Sequence, residues 1–97
     1  MMRLHIYVSG RVQGVFYRSN TYEKAEELGI TGWVKNLADG RVEIIAEGEE
    51  EKLKKFVEWC RIGPRWAKVE DLKVNVEPAT GEFKSFDIKG EEPEGID

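Results

Sequence analysis

The residues with the chemistry to hold an anion come in one run, Gly10-Arg11-Val12-Gln13-Gly14-Val15-Phe16-Tyr17-Arg18. Gly14 lets the backbone turn without a Cβ clash, so successive N–H groups can converge on one point. A helical pattern begins near Ser19, and its first turn adds unpaired N–H groups and the positive end of a dipole. Arg18 brings a planar fork of donors to the same place. Together these are the parts of a small anion site. The run also has an ordinary explanation, since glycine is common turn chemistry and an arginine at a helix start is commonly solvated. On local features alone that structural explanation is the stronger one. No Gly-Lys-Ser/Thr follows the loop and it is not Gly-x-Gly-x-x-Gly, so nucleotide binding has little support.

The remaining chemistry-bearing residues are few. His5 has no second histidine and only a distant cysteine beside it in the sequence, so it lacks partners for a metal and is expected at the surface. Cys60 falls on an apolar stripe and reads as a small buried hydrophobe, not a nucleophile. No convincing Ser-His or Cys-His pair is available for covalent catalysis. Asn36 stands near a strand end beside a hairpin, an ordinary place for a polar residue. Asp39 is assigned to the turn. Gln13 contributes backbone to the loop, and its side chain could equally be solvated.

The elements that position these residues follow from period and punctuation. Leu4, Ile6 and Val8 alternate with His5, Tyr7 and Ser9, giving a first strand over roughly Met2 to Ser9. Ser19 to Leu28 reads as a helix with Thr21, Ala25 and Leu28 on one stripe and Tyr22 beside it. Gly29 is placed for a left-handed cap, and Ser19 or Asn20 for capping the start. Thr31 to Leu37 is a second strand, Ala38-Asp39-Gly40 a tight turn, and Arg41 to Glu47 a third strand. In that third strand Val42, Ile44 and Ala46 face inward and Arg41, Glu43 and Glu47 mostly outward, with Ile45 interrupting the polar side. Glu49 to Arg61 is the clearest helix, with Leu53, Phe56, Val57 and Cys60 at core spacing, glutamates in the first turn and Gly63-Pro64 as a stop. Trp59 and Trp66 read as packing residues. Asp71 to Glu77 alternates as a fourth strand around Leu72, Val74 and Val76. Pro78 to Gly81 turns, and Phe83 to Lys89 is a short closing strand with Phe86 and Ile88 on one side. The order β-α-β-β-α-β plus a short extra strand predicts an α+β, ferredoxin-like domain: an antiparallel sheet with both helices on one face. Leu53, Phe56 and Val57 are expected to pack against Leu4, Ile6, Val8, Val42 and Ile44.

Composition sets the outer limits. Ninety-seven residues suit one domain, taken as residues 1–90, with an acidic segment 91–97 expected to be mobile. Forty per cent hydrophobic and 35% charged residues describe a globular chain with a heavily charged surface. A net charge of −4 argues against a nucleic-acid partner but not against one small phosphate, which needs only local charge. No apolar run reaches a membrane span and no basic-then-apolar leader precedes the first strand, so no membrane association and a cytoplasmic location are expected. The single cysteine fits a reducing compartment, and a monomer is expected with oligomers left open. One Gln and three Asn amid abundant Glu and Lys lean toward a heat-adapted source.

Two motifs stand in order, Gly10-Arg-Val-Gln-Gly-Val-Phe-Tyr-Arg18 and Gly32-Trp-Val-Lys-Asn36-Leu-Ala-Asp39-Gly40, with the Leu28-Gly29 helix end between them. In these the chain resembles the acylphosphatase family from about residue 3 to residue 89. Tyr17 stands where the family often has Phe, and Leu37 where some members carry threonine that would prop the asparagine. The resemblance implies hydrolysis of the carboxyl-phosphate bond of acyl phosphates to carboxylate and inorganic phosphate, with no metal and no cofactor. It carries phosphate binding onto Arg18, water orientation onto Asn36, and a backbone cradle onto Gln13, Gly14, Val15, Phe16, Tyr17 and Arg18. Acyl phosphates already have a good leaving group, so positioning and charge stabilisation suffice. The alternative is a non-catalytic module of the same fold that binds a small anion or a protein partner. An RNA-binding module is disfavoured because Arg41 to Glu47 lacks stacking aromatics.

Overall fold

A computed structural model describes residues 1–90. Strand β1 (Met2–Arg11) leads through a loop into helix α1 (Tyr17–Leu28). Strands β2 (Thr31–Asn36) and β3 (Val42–Gly48) form a hairpin, followed by helix α2 (Glu50–Ile62), strand β4 (Lys68–Glu77) and a short β5 (Phe86–Ile88). The five strands lie side by side in the order β4-β1-β3-β2-β5. β1 pairs antiparallel with both β3 and β4, and β3 antiparallel with β2. The helices share one face. There Leu4, Ile6 and Val8 of β1, Val34 of β2, and Val42, Ile44 and Ala46 of β3 meet Ala25 of α1 and Leu53, Phe56 and Cys60 of α2 in one buried cluster. Alternation along each strand sends these residues to the same side, and removing their apolar surface from water holds the two layers together. Val57 lies at the rim of the cluster, as do Leu72 and Val74 of the edge strand β4, whereas Val76 is 67% exposed.

The expected antiparallel sheet needs one amendment, because β5 pairs parallel with β2, with Phe86 opposite Gly32. The chain leaves β4 at the sheet end where Glu77 lies opposite Arg3, and β5 starts beside the beginning of β2 at that same end. A strand rising from that end must run alongside β2 in the same direction. β5 is also shorter than the Phe83–Lys89 reading, and its two apolar residues part company: Phe86 is buried while Ile88 is half in water. Gly32 is required by the hairpin. Its φ is 136°, and a Cβ there would drive into the carbonyl oxygen of Ile45.

Several boundaries move for identifiable reasons. β1 continues past Ser9 to Arg11 and β4 starts at Lys68, because the two edges keep pairing through a bulge between Ser9 and Gly10. α1 starts at Tyr17 instead of Ser19, and neither Ser19 nor Asn20 caps it as expected. Trp66 does not pack; it is 63% exposed with the Arg65 guanidinium over its ring, whereas Trp59 does pack, 5.6 Å from Tyr17. Glu47 is not outward in the sense of being wet. It is 1% exposed and accepts bonds from the Thr80 N–H at 2.9 Å and the Gly81 N–H at 3.0 Å. His5 lies on the open sheet face but between two carboxylates, Nε2 2.6 Å from Glu43 and Nδ1 3.2 Å from Glu77. Segment 91–97 lies outside the described residues.

Candidate active site

The end of the sheet where β1 finishes and the β2–β3 hairpin turns collects the first sequence motif and the Asn36-to-Gly40 part of the second. The loop between β1 and α1 is anchored from below by Val12 and Val15, which are buried in the core. Tyr17 is fully buried next to them, and its hydroxyl donates to the Cys60 carbonyl at 2.7 Å. Cys60 is in the last turn of α2, where carbonyls have no acceptor role left inside the helix. The phenol therefore closes a helix end that phenylalanine would leave open, and burial pushes its pKa up. Burial likewise pushes the Cys60 thiol up to about 12, which keeps it protonated and inert.

The loop turns through two left-handed residues. Gly14 has φ 75° and Phe16 has φ 64°, ψ 26°. Phe16 is followed at once by the right-handed first turn of α1, and a left-then-right pair aims adjacent N–H groups into one concavity. The first intrahelical bond runs from the Asn20 N–H to the Phe16 carbonyl at 3.1 Å. The N–H groups of Phe16, Tyr17, Arg18 and Ser19 thus have no acceptor inside the helix. The first turn of α1 carries no acidic residue of its own at the positive end of the helix dipole. Arg18, in that turn, is buried.

Asn36 is the last residue of β2. Val34 faces the core, so by the two-residue period Asn36 faces the same side and is 1% exposed. Neither Nδ2 nor Oδ1 finds a hydrogen-bond partner among the described residues. Leu37 offers no side-chain prop, as its sequence position implied. The hairpin beyond is tightly made: the Leu37 N–H donates to the Arg41 carbonyl at 2.8 Å and the Gly40 N–H to the Leu37 carbonyl at 3.1 Å. Asp39 holds the turn, accepting from the Arg41 N–H at 3.1 Å and pairing with its guanidinium at 2.9 Å. These bonds hold the Asp39 carboxyl below its ordinary pKa, the Arg41 N–H contributing most.

Gln13 links the two motifs. Its Nε2 donates to the Leu37 carbonyl at 2.8 Å and to the Arg41 carbonyl at 2.9 Å. Both amide protons are used, so the side chain is a strut between the loop and the hairpin, not a solvated group. This role escaped the sequence reading. The signal available was that the chain's single Gln sits inside the glycine loop.

The acylphosphatase family model matches residues 4–88. The chain belongs to the acylphosphatase family. An acylphosphatase of Marinobacter nauticus is 57% identical over 84 residues, covering 87% of this chain and 91% of that one. One of Rubrobacter xylanophilus is 52% identical, covering 90% of this chain and 79% of that one. The crystal structure of the acylphosphatase of Bacillus subtilis superposes with a TM-score of 0.90 at 41% identity, over 93% of this chain and all of that one. The ferredoxin-like architecture and membership of an enzyme family thus rest on whole-chain likeness. Among the described residues, no cluster of three or more His, Cys, Asp or Glu is arranged to hold a metal, and no helix is long and apolar enough to cross a membrane.

Proposed function

We propose that the chain hydrolyses the carboxyl-phosphate bond of acyl phosphates at the concavity between the Gln13–Arg18 loop and the end of β2, without a metal. The observation that carries this reading is Asn36, an amide buried with both polar atoms unpartnered among the described residues. Such groups are rare and costly unless something else satisfies them. Water and a phosphate oxygen can do so.

In this reading the N–H groups of the loop and the Arg18 guanidinium hold the phosphoryl oxygens, and their fixed donors stabilise the charge of a loose transition state. The Asn36 amide, donor and acceptor at once, orients a water toward phosphorus. The water oxygen bonds to phosphorus as the bond to the acyl oxygen breaks, and the carboxylate departs with the electron pair. An amide is a poor base, so the water's proton passes to a phosphate oxygen. The products are a carboxylate and inorganic phosphate.

Phosphate release from benzoyl phosphate, measured with and without a chelator, tests the class of reaction; loss on chelation would move it to metal-assisted hydrolysis. Two variants test the roles. Arg18→Lys keeps the charge but loses the two-pronged geometry, so KM should rise and kcat fall. Asn36→Ala should lower kcat by about 10²–10³ while competitive inhibition by inorganic phosphate stays close to the parent's. Hydrolysis at the parent rate by a folded Asn36→Ala would remove the water-orienting role.

A further inference from the structure

Phe16 is the only non-glycine residue at positive φ among the described residues. A side chain with a Cβ is strained in that conformation, and glycine would avoid the strain. Exposed residues often cost nothing and mean nothing, but this one is both strained and large. The residue is 57% exposed while Val15, Tyr17 and Arg18 around it are buried, so it adds little to the core. The position is nevertheless held firmly. Its carbonyl accepts from the Asn20 N–H, from Asn20 Nδ2 at 2.8 Å and from Ser19 Oγ at 3.2 Å. A phenyl ring here therefore serves neither the turn nor the packing, and its root is fixed on a residue whose own N–H belongs to the cradle. Strain concentrated on such a residue points to use by a ligand.

We propose that the Phe16 ring is the acyl-group contact of the site, packing against an apolar or aromatic acyl chain and favouring such substrates over acetyl phosphate. The inference rests on the acyl phosphate reading above. The phosphoryl group is common to every substrate and is held by polar groups, so discrimination between acyl groups must come from what lies at the rim. Gly14 and Phe16 are the exposed residues of the Val12–Arg18 loop, and only Phe16 presents a side chain there.

The test is the ratio of kcat/KM for benzoyl phosphate to that for acetyl phosphate. Any disturbance of the cradle lowers both substrates alike and cancels in the ratio. Phe16→Ala removes the ring and keeps the strain, whereas Phe16→Gly removes both. Each should lower the ratio about tenfold, the effect of losing a modest apolar contact made in the transition state. Phe16→Trp should restore most of it. An unchanged ratio in active Phe16→Ala and Phe16→Gly overturns the proposal and leaves the phosphate chemistry standing, as does a ratio that falls in one of them and not the other. A parent chain that releases phosphate from neither substrate overturns the acyl phosphate reading itself, and the Phe16 contact with it.

Discussion

Asn36, on the hairpin, and Gln13, in the loop that faces it, are both amides, and the structure treats them in opposite ways. Gln13 spends both N–H donors on carbonyls and so belongs to the framework. Asn36 is more deeply buried, and its side chain bonds to nothing among the described residues. Burying a polar group unpaired costs about 1–3 kcal/mol, whereas an apolar group of the same shape avoids that cost. Leucine has the same branching as asparagine without its polarity. Asn36→Leu is therefore expected to raise unfolding stability in urea by about 1–3 kcal/mol while abolishing phosphate release. A variant that loses both stability and activity would mean that the amide is part of the framework after all.

At the scale of elements, the two ends of the sheet have separate tasks. One end carries the glycine loop, the start of α1 and the hairpin. The other carries the connection from β4 to β5, and Glu47 is its fastening. Burial raises the Glu47 pKa, but the Thr80 and Gly81 N–H groups, the Thr80 hydroxyl and the Arg3 charge together outweigh burial, so the carboxyl lies below its ordinary value of 4.5. A carboxyl depressed in the folded state contributes stability above its unfolded pKa and loses it as pH falls through the folded one. Glu47→Gln should thus be about 1–3 kcal/mol less stable than the parent at pH 7, the usual loss for charge-assisted bonds. The gap should close as the pH falls below 4.5 toward the lower folded pKa. Chemical denaturation at several pH values measures this. A gap independent of pH would show that the carboxylate charge plays no part in holding the connection.

For the molecule as a whole, one apolar layer joins the helices to the sheet, and Phe56 is at its centre. Phe56 is fully buried and meets the edge of Phe86 with ring centroids 6.1 Å apart, tying α2 to the last strand. Truncating it leaves a cavity between elements distant in sequence, so Phe56→Ala should cost ~3–5 kcal/mol. A melting curve that matches the parent's would show that α2 does not carry the core.

The period of apolar residues was enough to place both helices, four strands and the hairpin, because burial of one face is a local and repetitive demand that every element must meet. The turn at Gly14 was legible for a similar reason, since turn geometry is written in neighbouring residues, and the structure places it at φ 75°. What lay beyond the sequence were relations between elements. The parallel pairing of β5, the burial of Glu47 and the strut from Gln13 depend on which ends of the strands come together, and no local pattern states that. Phe16 shows the limit most directly. A helix read as starting at Ser19 pointed to Ser19 or Asn20 as its cap, yet the helix starts at Tyr17, Phe16 takes the cap position in the left-handed conformation, and the Ser19 and Asn20 side chains donate to its carbonyl. Residue types and their spacing determined the layers and the glycine turn between β1 and α1. Only the tertiary structure decided which polar groups among the described residues were satisfied and which, like the Asn36 amide, were not, because hydrogen-bond satisfaction is settled by contacts across the chain and not along it.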